Sequence, residues 1–287
     1  MYLFEDKNGK KQVVDGRQRI SAILDFLEGK FKLNNLRILK QFNGCCFADL
    51  DLKQQGVIED FQLLFYIIQP PTPERVKYDI FDRVNRGGTP LNKQEMRNAL
   101  YRGRCTRMLD KLCCSPEFLI ATGRSINKER MKDQYVVLRA MAFLMLHRGE
   151  FKDIPALQYR GDIDDFLARF MVYVNDNAPE KLIVDYENLF IRCMQISYDL
   201  LGENGFRFSG NGIRRPINMP LFEALSYLFS FVPEKIDYTW VSRLILDIES
   251  VKEEFDDSRY FSGNIDSTTS VSFRFDRMDK IINRIQL

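Results

Sequence analysis

The chain of 287 residues contains one histidine, His147, and that scarcity removes whole classes of chemistry. A histidine-dependent metal nuclease of the HNH type gathers several histidines at one ion, which a single residue cannot do. The six cysteines stand at Cys45-Cys46, Cys105, Cys113-Cys114 and Cys193. None forms a C-x-x-C, and adjacent cysteines do not fit zinc-ligand spacing, so no metal site is expected and reduced cytoplasmic thiols are. Nothing matches G-x-x-x-x-G-K-[ST], which excludes a P-loop. No apolar run nears the roughly 18 residues that span a bilayer; the longest, Ala140 to Leu146, is far too short. The N-terminus carries no secretory pattern, and a soluble cytoplasmic protein without a membrane partner is expected. A net charge of +2, with both signs interleaved, is too small to announce a nucleic-acid binder. D/E-x-K, a nuclease signature, occurs at Glu5-Asp6-Lys7, Glu28-Gly29-Lys30 and Asp51-Leu52-Lys53, as chance allows when 29% of residues are charged. His147 closes an apolar helical stretch, where its charge is expected to favour the helix C-terminus.

What the chain does have is core-forming material, with 23 Phe and 12 Tyr. Its length suits two compact units or one large one.

The most informative stretch is Val13-Val14-Asp15-Gly16-Arg17-Gln18-Arg19. Upstream, Asn8-Gly9 between short apolar runs signals a β-hairpin, whose second strand delivers Asp15. Downstream, Ile20, Ile23, Leu24 and Leu27 fall on one helical face. The spacing predicts strand, sharp turn and helix, with two arginines in the helix's first turn beside free N–H groups and the positive dipole end. Such a corner holds an anion, above all phosphate. A second reading stays open, in which the arginines salt-bridge a neighbouring carboxylate and fix the turn.

Asp49 to Gln62 reads as a short helix packing Val57 and Ile58, and Phe31-Lys32-Leu33 and Phe47 as short strands or turns. Leu63 to Ile68 is a continuous apolar run that predicts a buried strand joining the hairpin in one sheet. Thr72-Pro73-Glu74 then starts a helix, with Val76, Ile80, Phe81 and Val84 on one face up to Asn85. Arg86-Gly87-Gly88-Thr89-Pro90 makes a turn, and Asn92 with Glu95 forms a capping box for a helix over 93–101. Because that chain must fold back on the sheet, Asn85, Arg86 and Gly87-Gly88 are expected to share one cleft with Asp15–Arg19.

Beyond about residue 109 the pattern is helical: Lys132 to His147, Ile163 to Val174, Pro179 to Leu201, Pro220 to Phe231, Trp240 to Phe255, and a last helix bearing Arg274 and Arg277. The polar stretch Gly263 to Ser270 before it reads as a helix cap, with a phosphate-facing helix start as the alternative. The fold class is therefore α+β, a small mixed-sheet unit over 1–103 followed by a larger helical domain over 104–287.

Val14-Asp15-Gly16-Arg17-Gln18-Arg19, together with Ile80-Phe81-Asp82-Arg83-Val84-Asn85-Arg86-Gly87-Gly88 and Leu91-Asn92 and Glu95, resembles the N-terminal domain family of GmrSD-type modification-dependent restriction enzymes. The resemblance in order extends over essentially the whole chain, with Arg17 in place of the commoner glutamine. It implies a ParB/sulfiredoxin-like α/β nucleotide-binding unit, and a role in restriction or phage defence that couples nucleoside triphosphate with Mg²⁺ to DNA cleavage. On the matching motif, Asp15, Gln18 and Arg19 are the implied catalytic residues. Gly16, Arg17, Arg19, Asn85, Arg86 and Gly87 are the implied nucleotide contacts. DNA, a separate nuclease subunit and a second copy of the chain are the further partners the resemblance suggests. Family members begin with a longer arm before the hairpin, so the strand containing Leu3 and Phe4 is expected to keep an open edge for another chain. The alternatives are a DNA-binding or nuclease subunit using the same corner on a backbone phosphate, and a scaffold without catalysis.

Overall fold

The computed structural model describes residues 1–5, 9–69, 72, 76–77, 79–80, 83, 91–209, 214–233 and 238–285. The chain is an α+β protein that divides into two compact units, Met1–Leu91 and Asn92–Leu287.

In the first unit, strands β1 (Tyr2–Glu5), β2 (Lys11–Asp15) and β3 (Tyr66–Ile68) form a mixed sheet in the order β2-β1-β3. The hairpin pairs Leu3 with Val13 and Phe4 with Gln12, and its register shifts between Tyr2 and Leu3. β3 runs parallel to β1, with Tyr2 opposite Tyr66 and their rings stacked at 5.3 Å. Leu3 and Phe4 are therefore covered on both edges, against the expectation that their strand stays open. The open edges belong to β2 and β3. The 63–68 run does join the hairpin's sheet, but it is not buried: Leu64 and Tyr66 are 68% and 55% exposed. As a three-residue edge strand it has a neighbour on one side only.

Helices α1 (Arg17–Leu27) and α2 (Leu52–Glu59) complete this unit. α2 is shorter than the sequence pattern suggests because Asp51 caps it, accepting from the Gln54 N–H at 2.8 Å. Val57 faces outward rather than into a core. No strand forms at 31–33; Leu33 instead exchanges backbone hydrogen bonds with Gly44 and Cys45 across an irregular loop. The small core is aromatic, with Phe26 buried against Phe31 and Phe47 at 5.5 and 5.9 Å. Two of the three D/E-x-K matches prove to be local structure. Gly29 takes φ 71 just past α1, and Lys30 pairs with Glu28 and Asp25, while Asp51 is the α2 cap. Val76, Lys77, Asp79, Ile80 and Arg83 are helical, as the spacing suggests for that segment.

The second unit opens on α3 (Lys93–Leu100), where the capping box forms as read from sequence. Asn92 Oδ1 accepts from the N–H groups of Gln94 and Glu95, and Glu95 Oε2 accepts from the Asn92 N–H at 2.7 Å. There follow α4 (Arg104–Cys113), α5 (Pro116–Ala121), α6 (Lys132–His147), α7 (Ile163–Asp176), α8 (Glu180–Leu201), α9 (Met219–Phe229), α10 (Tyr238–Asp256) and α11 (Thr268–Ile285). α6 and α9 form the centre, with Val137 to Met145 and Leu221 to Phe229 almost wholly buried. Each fully buried phenylalanine contributes roughly 1.5–3 kcal/mol, and Phe118, Phe190, Phe206 and Phe222 interlock around α9. Ser267 caps α11 through the Ser270 N–H at 3.1 Å, so the cap reading of the 263–270 stretch holds.

Two features of this core carry charge. Glu223 is fully buried between the guanidinium groups of Arg139 and Arg274, and Arg139 also reaches Asp266 at 2.6 Å. His147 ends α6 but does not serve the helix terminus as a cation. Its ring lies flat on Phe275 at 3.6 Å, and burial, helped by Arg274, lowers its pKa to about 3. It packs as a neutral aromatic because burial disfavours its charged form.

Among the described residues no helix is long and apolar enough to cross a membrane, and no group of three or more His, Cys, Asp or Glu could hold a metal ion. All six cysteines are free thiols.

Candidate phosphate-binding corner

The corner is built by β2, one glycine and α1. β2 ends at Asp15; Gly16 turns the chain with φ 97 and ψ 6; α1 starts at Arg17. An L side chain at that φ is strained by about 1–2 kcal/mol. There is also no room for one, since a Cβ on Gly16 would lie 2.8 Å from Met1 Cγ. Met1 is itself held at the sheet, its carbonyl accepting from the Tyr66 N–H at 2.9 Å. Gly16→Ala is accordingly expected to cost about 1–2 kcal/mol, read as a lower melting temperature. A variant as stable as the parent would show that the left-handed turn is not required.

The first backbone hydrogen bond of α1 runs from Ile20 N–H to Gly16 O at 2.8 Å. The N–H groups of Arg17, Gln18 and Arg19 therefore have no partner within the helix. Gly16 has no side chain to cap them, and the first turn holds no acidic residue. Three open amides, the positive end of the helix dipole and two guanidinium groups converge on one exposed corner. The side chains of Arg17, Gln18 and Arg19 all face solvent.

Arg19 forms an ion pair with Asp15, four residues back, and their side chains are 60% and 21% exposed. The carboxylate-partner reading of the sequence is thus realised for Arg19. Among the described residues Arg17 makes no ion pair. Exposed ion pairs are worth about 0–1 kcal/mol, so the Asp15–Arg19 contact is weak enough for a phosphate to displace. Released, Asp15 would be a free carboxylate beside the open amides of α1.

Asp15, Gly16, Arg17, Gln18 and Arg19 are brought together as the sequence suggests, by local chain geometry. Asp82, Asn85, Arg86, Gly87 and Gly88 lie outside the described residues, and with them the expected shared cleft. Arg83 is helical and exposed. The sequence carries no sign of Met1 beneath Gly16, because that contact depends on the register shift that sets Tyr2 opposite Asp15 in the hairpin.

A strand–glycine–helix corner of this composition, set in a small mixed sheet and followed by a helical unit, defines a class of α+β protein with an exposed, uncapped helix start. Residues 1–102 match the family model of the GmrSD restriction endonuclease, N-terminal domain. The matched segment contains the whole corner and ends just after α3. No curated protein and no solved structure matches the chain.

Proposed function

We propose that the chain is the nucleotide-binding regulatory module of a restriction or phage-defence system, with the phosphates of a nucleoside triphosphate seated on the Gly16–Arg19 corner. One observation carries this reading: an uncapped helix N-terminus, behind a glycine with no space for a side chain, flanked by two exposed arginines. Arg17 and Arg19 would grip the phosphate oxygens while the amides of Arg17, Gln18 and Arg19 donate to them. Such electrostatic clamping is the main means by which phosphoryl transfer is promoted. The donor set also suits Mg²⁺ arriving with the nucleotide, since that ion typically takes one or two carboxylates and the phosphates themselves. Asp15 is the carboxylate in place for it, or for orienting an attacking water, with Gln18 beside it. A restriction system makes DNA a further partner, and a separate nuclease subunit or a second copy would supply the cutting.

The Asp15–Arg19 ion pair favours a second reading, a scaffold whose motif only shapes the turn. Arg19→Ala separates the two. A ligand at about 100 times its dissociation constant adds about 2.7 kcal/mol to stability. The parent should therefore melt several degrees higher with a saturating triphosphate and Mg²⁺, and the variant should lose that gain while its unliganded melting temperature stays within a few degrees. An unliganded variant that collapses supports the scaffold. Retention of the parent on duplex DNA that falls steeply with salt, without any nucleotide effect, supports backbone-phosphate binding instead.

A further inference from the structure

The helical unit contains a cleft of about 410 Å³, between the end of α5, the loop after it and the start of α6. That volume is in the range single small molecules occupy. Leu119 and Ile126 give it apolar surface over the buried ring of Phe118, Arg124 and Lys128 line it with positive charge, and Asp133 adds a carboxylate. Among the described residues neither Arg124 nor Lys128 forms an ion pair. Asp133 is 7% exposed, and one of its oxygens accepts from the Gln134 N–H at 2.8 Å. A carboxylate has about four acceptor positions, so the other oxygen has capacity for a donor.

The loop that builds the cleft is held in strained geometry. Arg124, Arg130 and Met131 have φ of 52, 57 and 58, three of the four non-glycine residues with positive φ among those described. Strain of this kind persists only where the surroundings over-determine it. Here buried Arg207 donates to Thr122 O at 3.2 Å and to Ser125 Oγ. At the far end, Asn92 Nδ2 donates to Arg130 O at 2.7 Å and Glu95 pairs with Arg130 at 2.9 Å. The loop is pinned at both ends, while Arg124 and Lys128, both exposed, line the cleft and form no ion pair among the described residues.

We propose that this cleft binds one amino-bearing nucleotide. Its phosphate lies between Arg124 and Lys128, its base rests on Leu119 and Ile126, and its exocyclic amine donates to Asp133. Charge decides against the other ligand with these three parts, a zwitterionic amino acid. Two cations and one carboxylate leave the cleft at net +1, which a neutral ligand does not match and a phosphomonoester of about −1.5 to −2 does. The cleft shares no residue with the Gly16 corner and does not rest on the reading given for it.

The test uses the full chain carrying Arg19→Ala, so that the corner does not contribute, and calorimetric titration with dAMP, dCMP, dTMP, leucine and inorganic phosphate. Saturable binding of dAMP and dCMP is expected, with dTMP, which lacks the amine, weaker by about tenfold or more. Arg124→Gln with Lys128→Gln should weaken dCMP by a similar factor, and both sites are exposed enough for the variant to fold. Asp133→Asn should narrow the gap between dCMP and dTMP. Absence of saturable nucleotide binding, affinity unchanged by the double substitution, or tighter binding of leucine than of any nucleotide would overturn the proposal.

Discussion

Glu223→Ala is expected to destabilise the helical unit by about 3–5 kcal/mol, the range for removing one partner of a buried ion pair. Glu223 is 0% exposed and is shared by Arg139 and Arg274, themselves 1% and 0% exposed. Burial works against the charge on Arg139, yet Glu223 and Asp266 outweigh it and hold its pKa above the ordinary value. For Arg274 the balance tips the other way: burial, with Arg139 nearby, lowers its pKa despite Glu223. Without Glu223, Arg274 retains one hydrogen-bond acceptor among the described residues, the Ile265 carbonyl at 2.6 Å, and its Nε is already unpartnered. Two guanidinium groups from α6 and α11 would then face each other in a dry core. Glu223→Gln keeps the shape and one acceptor and should cost less than alanine. Denaturant unfolding measures both, and a loss below about 1 kcal/mol for the alanine variant would mean that the guanidiniums find other partners.

The second large effect is on pH. His147 titrates near 3 in the folded chain because burial disfavours its charged form, against about 6.5 when unfolded. Between those values the unfolded state binds a proton that the folded state refuses, so stability is full above about 6.5 and falls as pH drops towards 3. The slope is about 1.4 kcal/mol per pH unit, giving a loss of about 3 kcal/mol by pH 4. His147→Phe keeps a ring against Phe275 and removes the titration. The difference in unfolding free energy between parent and variant should therefore change by about that amount between pH 7 and pH 4. A difference that stays flat would place the histidine in contact with water.

Local chemistry made much of the molecule legible. The Asn92/Glu95 box was readable because a capping box is satisfied within four residues, whatever the chain does elsewhere. α6 was readable because sixteen residues of apolar pattern leave one packing choice. The Gly16 corner was readable because glycine, a following apolar helix and a preceding strand are all encoded within about fifteen residues. The N-terminal sheet was only half legible. The 63–68 run reads as a buried strand from its composition, but whether a strand is central or at an edge depends on which strands pair, and β1 took the centre. His147 was misread for the same kind of reason. A helix-terminal histidine in isolation is a cation, and only the Phe275 ring, 128 positions away in sequence, makes it a neutral core residue.

The sequence by itself determined the α+β class, the helical second half, the family-model match over residues 1–102 and the convergence of Asp15 to Arg19, since each rests on contacts within a few residues or on a motif. The tertiary structure alone decided that Arg19 takes Asp15 as partner, that Met1 fills the space beneath Gly16, that Glu223 holds two buried arginines, and that Arg124, Lys128 and Asp133 line one cleft. The Glu223 cluster joins residues far apart in the chain, and the Gly16–Met1 contact depends on a register shift in the hairpin. The Arg19 pair and the cleft depend on side-chain directions set by a particular turn, and no periodicity or composition encodes those.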